Sequence, residues 1–188
     1  MTTTPESIVI GEPRTGAKGN RSAQLTQKDG NPITVTATTP LTCPYGAGVY
    51  QGDGTETRLN IDYGELGGLL NLFQTLDEVI IREAIKASAQ LWPGRNLTPE
   101  QIREGYHSAI KERPGYNPTV RAKLDIAKVR CWSWEGSRIQ LPEDKAKGCM
   151  VQPKLVAKNI WFMAPNKWGV TWDTADLRIQ EPCVECPW

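Results

Sequence analysis

The chain carries one histidine, His107, among 188 residues, too few for histidine-rich metal binding or a histidine pair. It has no apolar run near the roughly 20 residues that cross a bilayer. Its start, Met1-Thr-Thr-Thr-Pro-Glu-Ser7, has neither the basic region nor the apolar stretch of a signal peptide. These absences predict a soluble intracellular protein with no membrane partner. Five cysteines, Cys43, Cys131, Cys149, Cys183 and Cys186, form an odd set without an export signal, so reduced thiols are expected. Cys183 and Cys186 make one C-x-x-C, whereas a zinc site takes about four ligands. No metal or cofactor is therefore predicted, and the role of that pair stays open.

Enzyme signatures are missing as well. Gly11-Glu-Pro-Arg-Thr-Gly16-Ala17-Lys18 approaches a phosphate-binding loop. Alanine stands where the lysine belongs, and no helix signal follows to set its N-terminus under a phosphate. G-x-S-x-G and H-E-x-x-H do not occur. His107 reads as a residue of an amphipathic helix rather than a general base. The expectation is a protein that is not an enzyme, scattered catalytic carboxylates being the enzymatic alternative.

What is present suits one domain over residues 1–180 with a flexible acidic tail at 181–188. The net charge of +1 predicts no overall pull toward a polyanion, but its distribution is uneven. Residues 111–130 hold a surplus of four positive charges, and residues 173–188 a surplus of three negative ones. Strand signals occupy Ser7–Ile10, then Ser22–Gln27 and Ile33–Thr38 as a hairpin about Asp29-Gly-Asn-Pro32. Arg58–Tyr63 alternates cleanly, with Leu59, Ile61 and Tyr63 on one side. Helical spacing follows: Leu69, Leu72 or Phe73, Leu76, Ile80, Ala84, Ala87 and Leu91. A second helix opens at the capping box Thr98-Pro-Glu-Gln101, carries Ile102, Tyr106, Ala109 and Ile110, and stops at Pro114-Gly115. Strands resume over 119–134, 150–163, 168–172 and 175–180. The order predicts a mainly β barrel or sandwich with a helical insertion at about 66–113.

The strongest local signal is residues 119–134, Thr-Val-Arg-Ala-Lys-Leu-Asp-Ile-Ala-Lys-Val-Arg-Cys-Trp-Ser-Trp. Val120, Ala122 and Leu124 share one face, while Val129 and Cys131 carry the apolar set on with opposite parity. A β-bulge near Ala127 reconciles the halves. One face then shows Arg121, Lys123, Lys128, Arg130, Trp132 and Trp134, with Arg58 and Tyr116 as a further cation and ring. Cations that neutralise phosphate and rings that stack on bases are what single-strand binding requires. The alternative, without the bulge, puts both tryptophans in the core and leaves the cations on a solvated edge. Trp161, Trp168 and Trp172 stand in apolar surroundings and read as core.

Three segments together carry a resemblance: Thr39-Pro-Leu-Thr-Cys-Pro-Tyr-Gly46, Arg58-Leu-Asn-Ile-Asp-Tyr63 and Asn159-Ile-Trp-Phe-Met-Ala-Pro-Asn-Lys-Trp-Gly-Val-Thr-Trp172. Their layout resembles a family of single-stranded-DNA-binding proteins from large eukaryotic DNA viruses. That family is similar to the OB-fold single-strand-binding protein of short-tailed bacteriophages. The resemblance implies an OB-fold-like five-stranded barrel with two or three helices between strands. It also implies single-stranded DNA binding without strong sequence preference, in replication, recombination or repair. An acidic tail ending in an aromatic residue contacts replication proteins in the phage type; Glu181, Glu185 and Trp188 match that pattern here. RNA as ligand and homo-oligomerisation are left open. A structural or protein-interaction β-domain, such as a virion or assembly component, is the alternative function.

Overall fold

The computed structural model describes residues 8–17, 19–48 and 56–180. In chain order the elements are β1 (Ile8–Thr15), β2 (Arg21–Gln27), β3 (Thr34–Thr36), β4 (Leu41–Thr42) and β5 (Arg58–Tyr63). Three helices follow, α1 (Gly68–Lys86), α2 (Ser88–Leu91) and α3 (Pro99–Glu104). The remaining strands are β6 (Tyr106–His107), β7 (Ile110–Arg113), β8 (Tyr116–Asp125), β9 (Arg130–Ser133), β10 (Arg138–Ile139), β11 (Met150–Met163) and β12 (Lys167–Gln180). The protein is mainly β, and no described helix is long and apolar enough to cross a membrane. Glu181, Glu185 and Trp188 lie outside the described residues, as do Cys183 and Cys186.

Two compact units divide the chain. The first takes residues up to Val35, then Gly67–Ile110 and Val156–Trp172. Its sheet runs β1-β2-β11-β12, with β6 parallel to β12. Phe73, Leu76, Ile80 and Ala84 form the buried stripe of α1 that the spacing predicts. Trp168 is fully buried, donates its indole N–H to the Ile102 carbonyl at 2.7 Å, and meets Trp92 and Tyr106 edge to face at 5.7 and 4.7 Å. Trp172 is buried against Phe73 at 5.0 Å. Trp161 departs from the expectation of core: it is half-buried, its indole lying over Gly169, where a Cβ would stand 2.8 Å from the ring.

The second unit takes Thr36–Leu66, Lys111–Leu155 and residues from Asp173 onward. Here β12 pairs in parallel with β8 and β9, β5 pairs antiparallel with β8, and β10 with β9. Leu59, Ile61, Tyr63, Val120, Ala122, Leu124, Cys131, Leu177 and Ile179 are buried on one side of these strands. The alternation read from 58–63 and 119–125 is therefore the alternation of the sheet. Tyr63 reaches Thr174 through a 2.8 Å hydrogen bond between their hydroxyls, both buried.

Three sequence readings give way to tertiary pairing. The second helix ends at Glu104, not at Pro114. Its capping box forms as predicted, with Gln101 N donating to Thr98 Oγ1 and Thr98 N donating to Gln101 Oε1. Gly105 then packs so closely on the Asn166 carbonyl that a side chain has no room, and Trp168 N donates to the Gly105 carbonyl at 2.9 Å. That docking draws Tyr106 and His107 into a strand on β12, and ladder bonds override helical periodicity. The turn at Asp29–Pro32 exists, with Gln27 N donating to the Asn31 carbonyl, but β2 makes its ladders with β1 and β11. Residues 168–172 and 175–180 belong to one strand, β12.

Candidate nucleic-acid interface

The strand that carried the sequence signal is two strands. Beyond Asp125 the chain leaves the ladder in a turn, not a bulge: Lys128 N and Val129 N both donate to the Asp125 carbonyl, and Ala127 N to Asp125 Oδ1. It re-enters as β9, whose partner is β12 rather than β5. The phase change between Leu124 and Val129 is thus a real discontinuity with a different cause. β12 answers it with its own break in alternation, where Ala175 and Asp176 are both half-exposed between buried Thr174 and Leu177.

On the side facing away from the second unit's core stand Arg58, Asn60 and Asp62 of β5, and Arg121, Lys123 and Asp125 of β8. Asp173, Asp176 and Arg178 of β12 and Arg130 and Trp132 of β9 complete it. The predicted cations mostly have carboxylate partners. Arg121 makes a two-pronged pair with Asp62, 2.7 and 2.8 Å. Arg58 meets Asp173 at 2.7 Å, Arg130 meets Asp176 at 2.7 Å, and Lys128 meets Asp125 at 3.1 Å. Lys123 forms no ion pair among the described residues. Burial, with Arg58 and Arg121 beside it, draws its ammonium below the ordinary lysine range.

Trp132 is only half-buried, so the reading that sends it to the core fails. Its indole N–H donates to Asp176 Oδ1 at 3.3 Å. The Arg138 guanidinium of β10 sits 5.3 Å from its ring centroid, within cation–π range. In register, Trp132 lies opposite Arg138 on one flank and Arg178 on the other. Arg138 and Arg178 are exposed and form no ion pair among the described residues. The sequence reading missed both. The signal lay in Trp134-Glu-Gly136, a turn in which Gly136 takes φ 93° and Ser133 N donates to the Ser137 carbonyl. A turn there returns Arg138 beside Trp132.

The other predicted residues are placed differently. Trp134, half-buried, opens that turn beyond the end of β9. Tyr116 is 69% exposed at the start of β8. It lies seven residues from Lys123, about 23 Å along an extended strand, so the structure does not bring it to the row. His107 is an exposed strand residue with its ring 5.9 Å from Trp161. No group of three or more potential metal ligands occurs among the described residues.

No protein-family model matches the chain, and no curated protein matches its sequence. Solved structures do match. One is gp2.5, a single-stranded DNA binding protein encoded by bacteriophage T7, with 10% identity, a TM-score of 0.50, and 79% of this chain covering 86% of that one. The fold is of the gp2.5 kind. The single-stranded DNA-binding protein of bacteriophage Enc34 also aligns. In complex with ssDNA it gives 16% identity and a TM-score of 0.47 over 89% of this chain and 93% of that one. A second structure of that protein gives 13% identity and a TM-score of 0.48 over 96% of each chain.

Proposed function

We propose that this protein binds single-stranded DNA without catalysis and without strong sequence preference, in replication, recombination or repair. The observation that carries the reading is the row Arg178–Trp132–Arg138 across β12, β9 and β10. It offers a half-exposed indole between two arginines that no carboxylate neutralises among the described residues. Flat ring and free cation side by side are the elements of sequence-tolerant strand binding. The gp2.5-like fold supports the reading, as does the likeness of three segments to proteins of large eukaryotic DNA viruses. Within it, the fold is an OB-like barrel, and Lys123 extends the cationic track. Arg58, Arg121, Lys128 and Arg130 contribute only where their ion pairs open. Glu181, Glu185 and Trp188 form a tail that contacts replication proteins.

The test is a titration with oligo-dT at low salt. A base–aromatic stack is worth about 1–3 kcal/mol. Trp132→Ala therefore weakens binding by about 5- to 150-fold, and Trp132→Phe recovers most of the loss. Arg138→Ala with Arg178→Ala weakens it further and flattens the salt dependence. Absence of binding by the unaltered protein, or unchanged binding by the triple variant, refutes the proposal.

A further inference from the structure

The first unit holds a separate open cavity of about 310 Å³, lined by Arg21, Trp92, Arg95, Phe162, Met163 and Pro165 among others. That volume is at the lower end of small-molecule sites. Its cations differ from those on the second unit's sheet. Arg21 donates to the Leu91 carbonyl at 2.7 Å and lies 5.3 Å over the Phe162 ring. Arg95 donates to the Pro165 carbonyl and, at 2.9 Å, to Asn166 Oδ1. Every one of these partners is neutral, and the lining has no carboxylate. A guanidinium has five N–H donors, so each arginine keeps donors to spare, and neither forms an ion pair among the described residues. Carbonyl partners hold the two groups in place without cancelling them. Phe162, braced edge to face by Trp92 at 5.5 Å, supplies an apolar wall.

We propose that this cavity binds one nucleotide unit, its phosphate between Arg21 and Arg95 and its base or sugar against Phe162 and Met163. Two fixed guanidiniums suit a phosphate, which they bind through paired N–H donors. The aromatic wall adds what a bare anion does not use. The choice of a nucleotide rests on the single-strand reading, while the anion preference stands on the cavity alone. The unit could come from a strand or from a free nucleotide, and the two sources are separable.

The test titrates the full chain calorimetrically with dTMP, thymidine and inorganic phosphate, beside oligo-dT. dTMP binds more tightly than phosphate, and thymidine more weakly than either. Arg95→Gln, a change at an exposed side chain, lowers dTMP affinity at least tenfold at unaltered melting temperature. If Arg95→Gln also weakens oligo-dT, the unit belongs to a strand; if it weakens dTMP alone, the site takes free nucleotide. Failure of the unaltered protein to bind dTMP at millimolar concentration overturns the proposal, as does equal dTMP binding by Arg95→Gln. A protein that binds dTMP here but no oligo-dT at all refutes the single-strand function and leaves the cavity as a nucleotide site.

Discussion

Salt dependence measures how many cations on the β5-β8-β12-β9-β10 face are free to meet phosphate. For single strands the slope of log K against log salt is about −0.7 for each phosphate neutralised. Seven cations stand on or beside that face: Arg58, Arg121, Lys123, Lys128, Arg130, Arg138 and Arg178. Four of them are held by Asp173, Asp62, Asp125 and Asp176. If only Lys123, Arg138 and Arg178 act, the slope is about −2, and affinity falls about 20-fold between 50 and 200 mM salt. If all seven act, it is about −5, and the same step costs about 900-fold. Asp176→Asn frees Arg130 while keeping an oxygen for the Trp132 indole N–H. The variant should bind more tightly at low salt, with a slope of about −2.8 and a loss of about 50-fold over that step. Fluorescence titration of oligo-dT at four salt concentrations gives both slopes. A wild-type slope near −5, or a slope that Asp176→Asn leaves unmoved, refutes the view that the ion pairs neutralise these cations.

Two further outcomes concern the scaffold. Asp77, buried in the middle of α1, accepts hydrogen bonds of 2.5 Å from Tyr106 Oη and Ser108 Oγ. Asp77→Ala removes the acceptor of both O–H groups at about 1–3 kcal/mol each, Ser108 Oγ keeping the Ile110 N–H, and should lower the urea midpoint accordingly at constant m-value, with Asp77→Asn losing less; a midpoint within error of wild type contradicts this. Burial pushes the Cys43 thiol up to about 12, so the folded state holds a proton that the unfolded chain releases near pH 9. Stability contributed by this thiol is present below pH 9 and lost as pH rises toward 12, at about 1.4 kcal/mol per pH unit. Cys43→Ala should flatten that stretch of the stability–pH curve, and a slope it does not change argues against the thiol as the source.

Local chemistry was legible where one element decides its own pattern. The alternation of Leu59, Ile61 and Tyr63, the stripe of Phe73, Leu76 and Ile80, and the capping box at Thr98 all stand in the structure as the residues imply. Readings failed where a distant strand decides. Tyr106, Ala109 and Ile110 fit helical spacing, yet β12 recruits Tyr106 and His107 as a strand. Trp161 sits in an apolar stretch like Trp168, but only Gly169 beside it reveals that the indole lies on the sheet surface. Arg21, Arg95 and Phe162 are far apart in the chain, and no spacing rule joins them.

The charge pattern shows why a linear reading misplaces a binding face. The basic surplus over 111–130 and the acidic surplus over 173–188 read as a cationic surface and an anionic tail. Parallel pairing of β12 with β8 and β9 sets Asp173 beside Lys123 and Asp176 beside Arg130, so two of the four acidic residues of that run serve the sheet itself. The two runs are complementary sides of one strand pairing, which helps to fix the register of β12, because a slip by one residue would turn Asp173 and Asp176 toward the core. Charge left for a ligand is what this pairing does not use, namely Lys123, which forms no ion pair among the described residues, Arg178 one step beyond Asp176 on the same face, and Arg138 on the far side of Trp132. A strand whose cations were all free would repel its neighbours and hold its register poorly. The cations that fix the sheet and the cations that meet a ligand are therefore different residues.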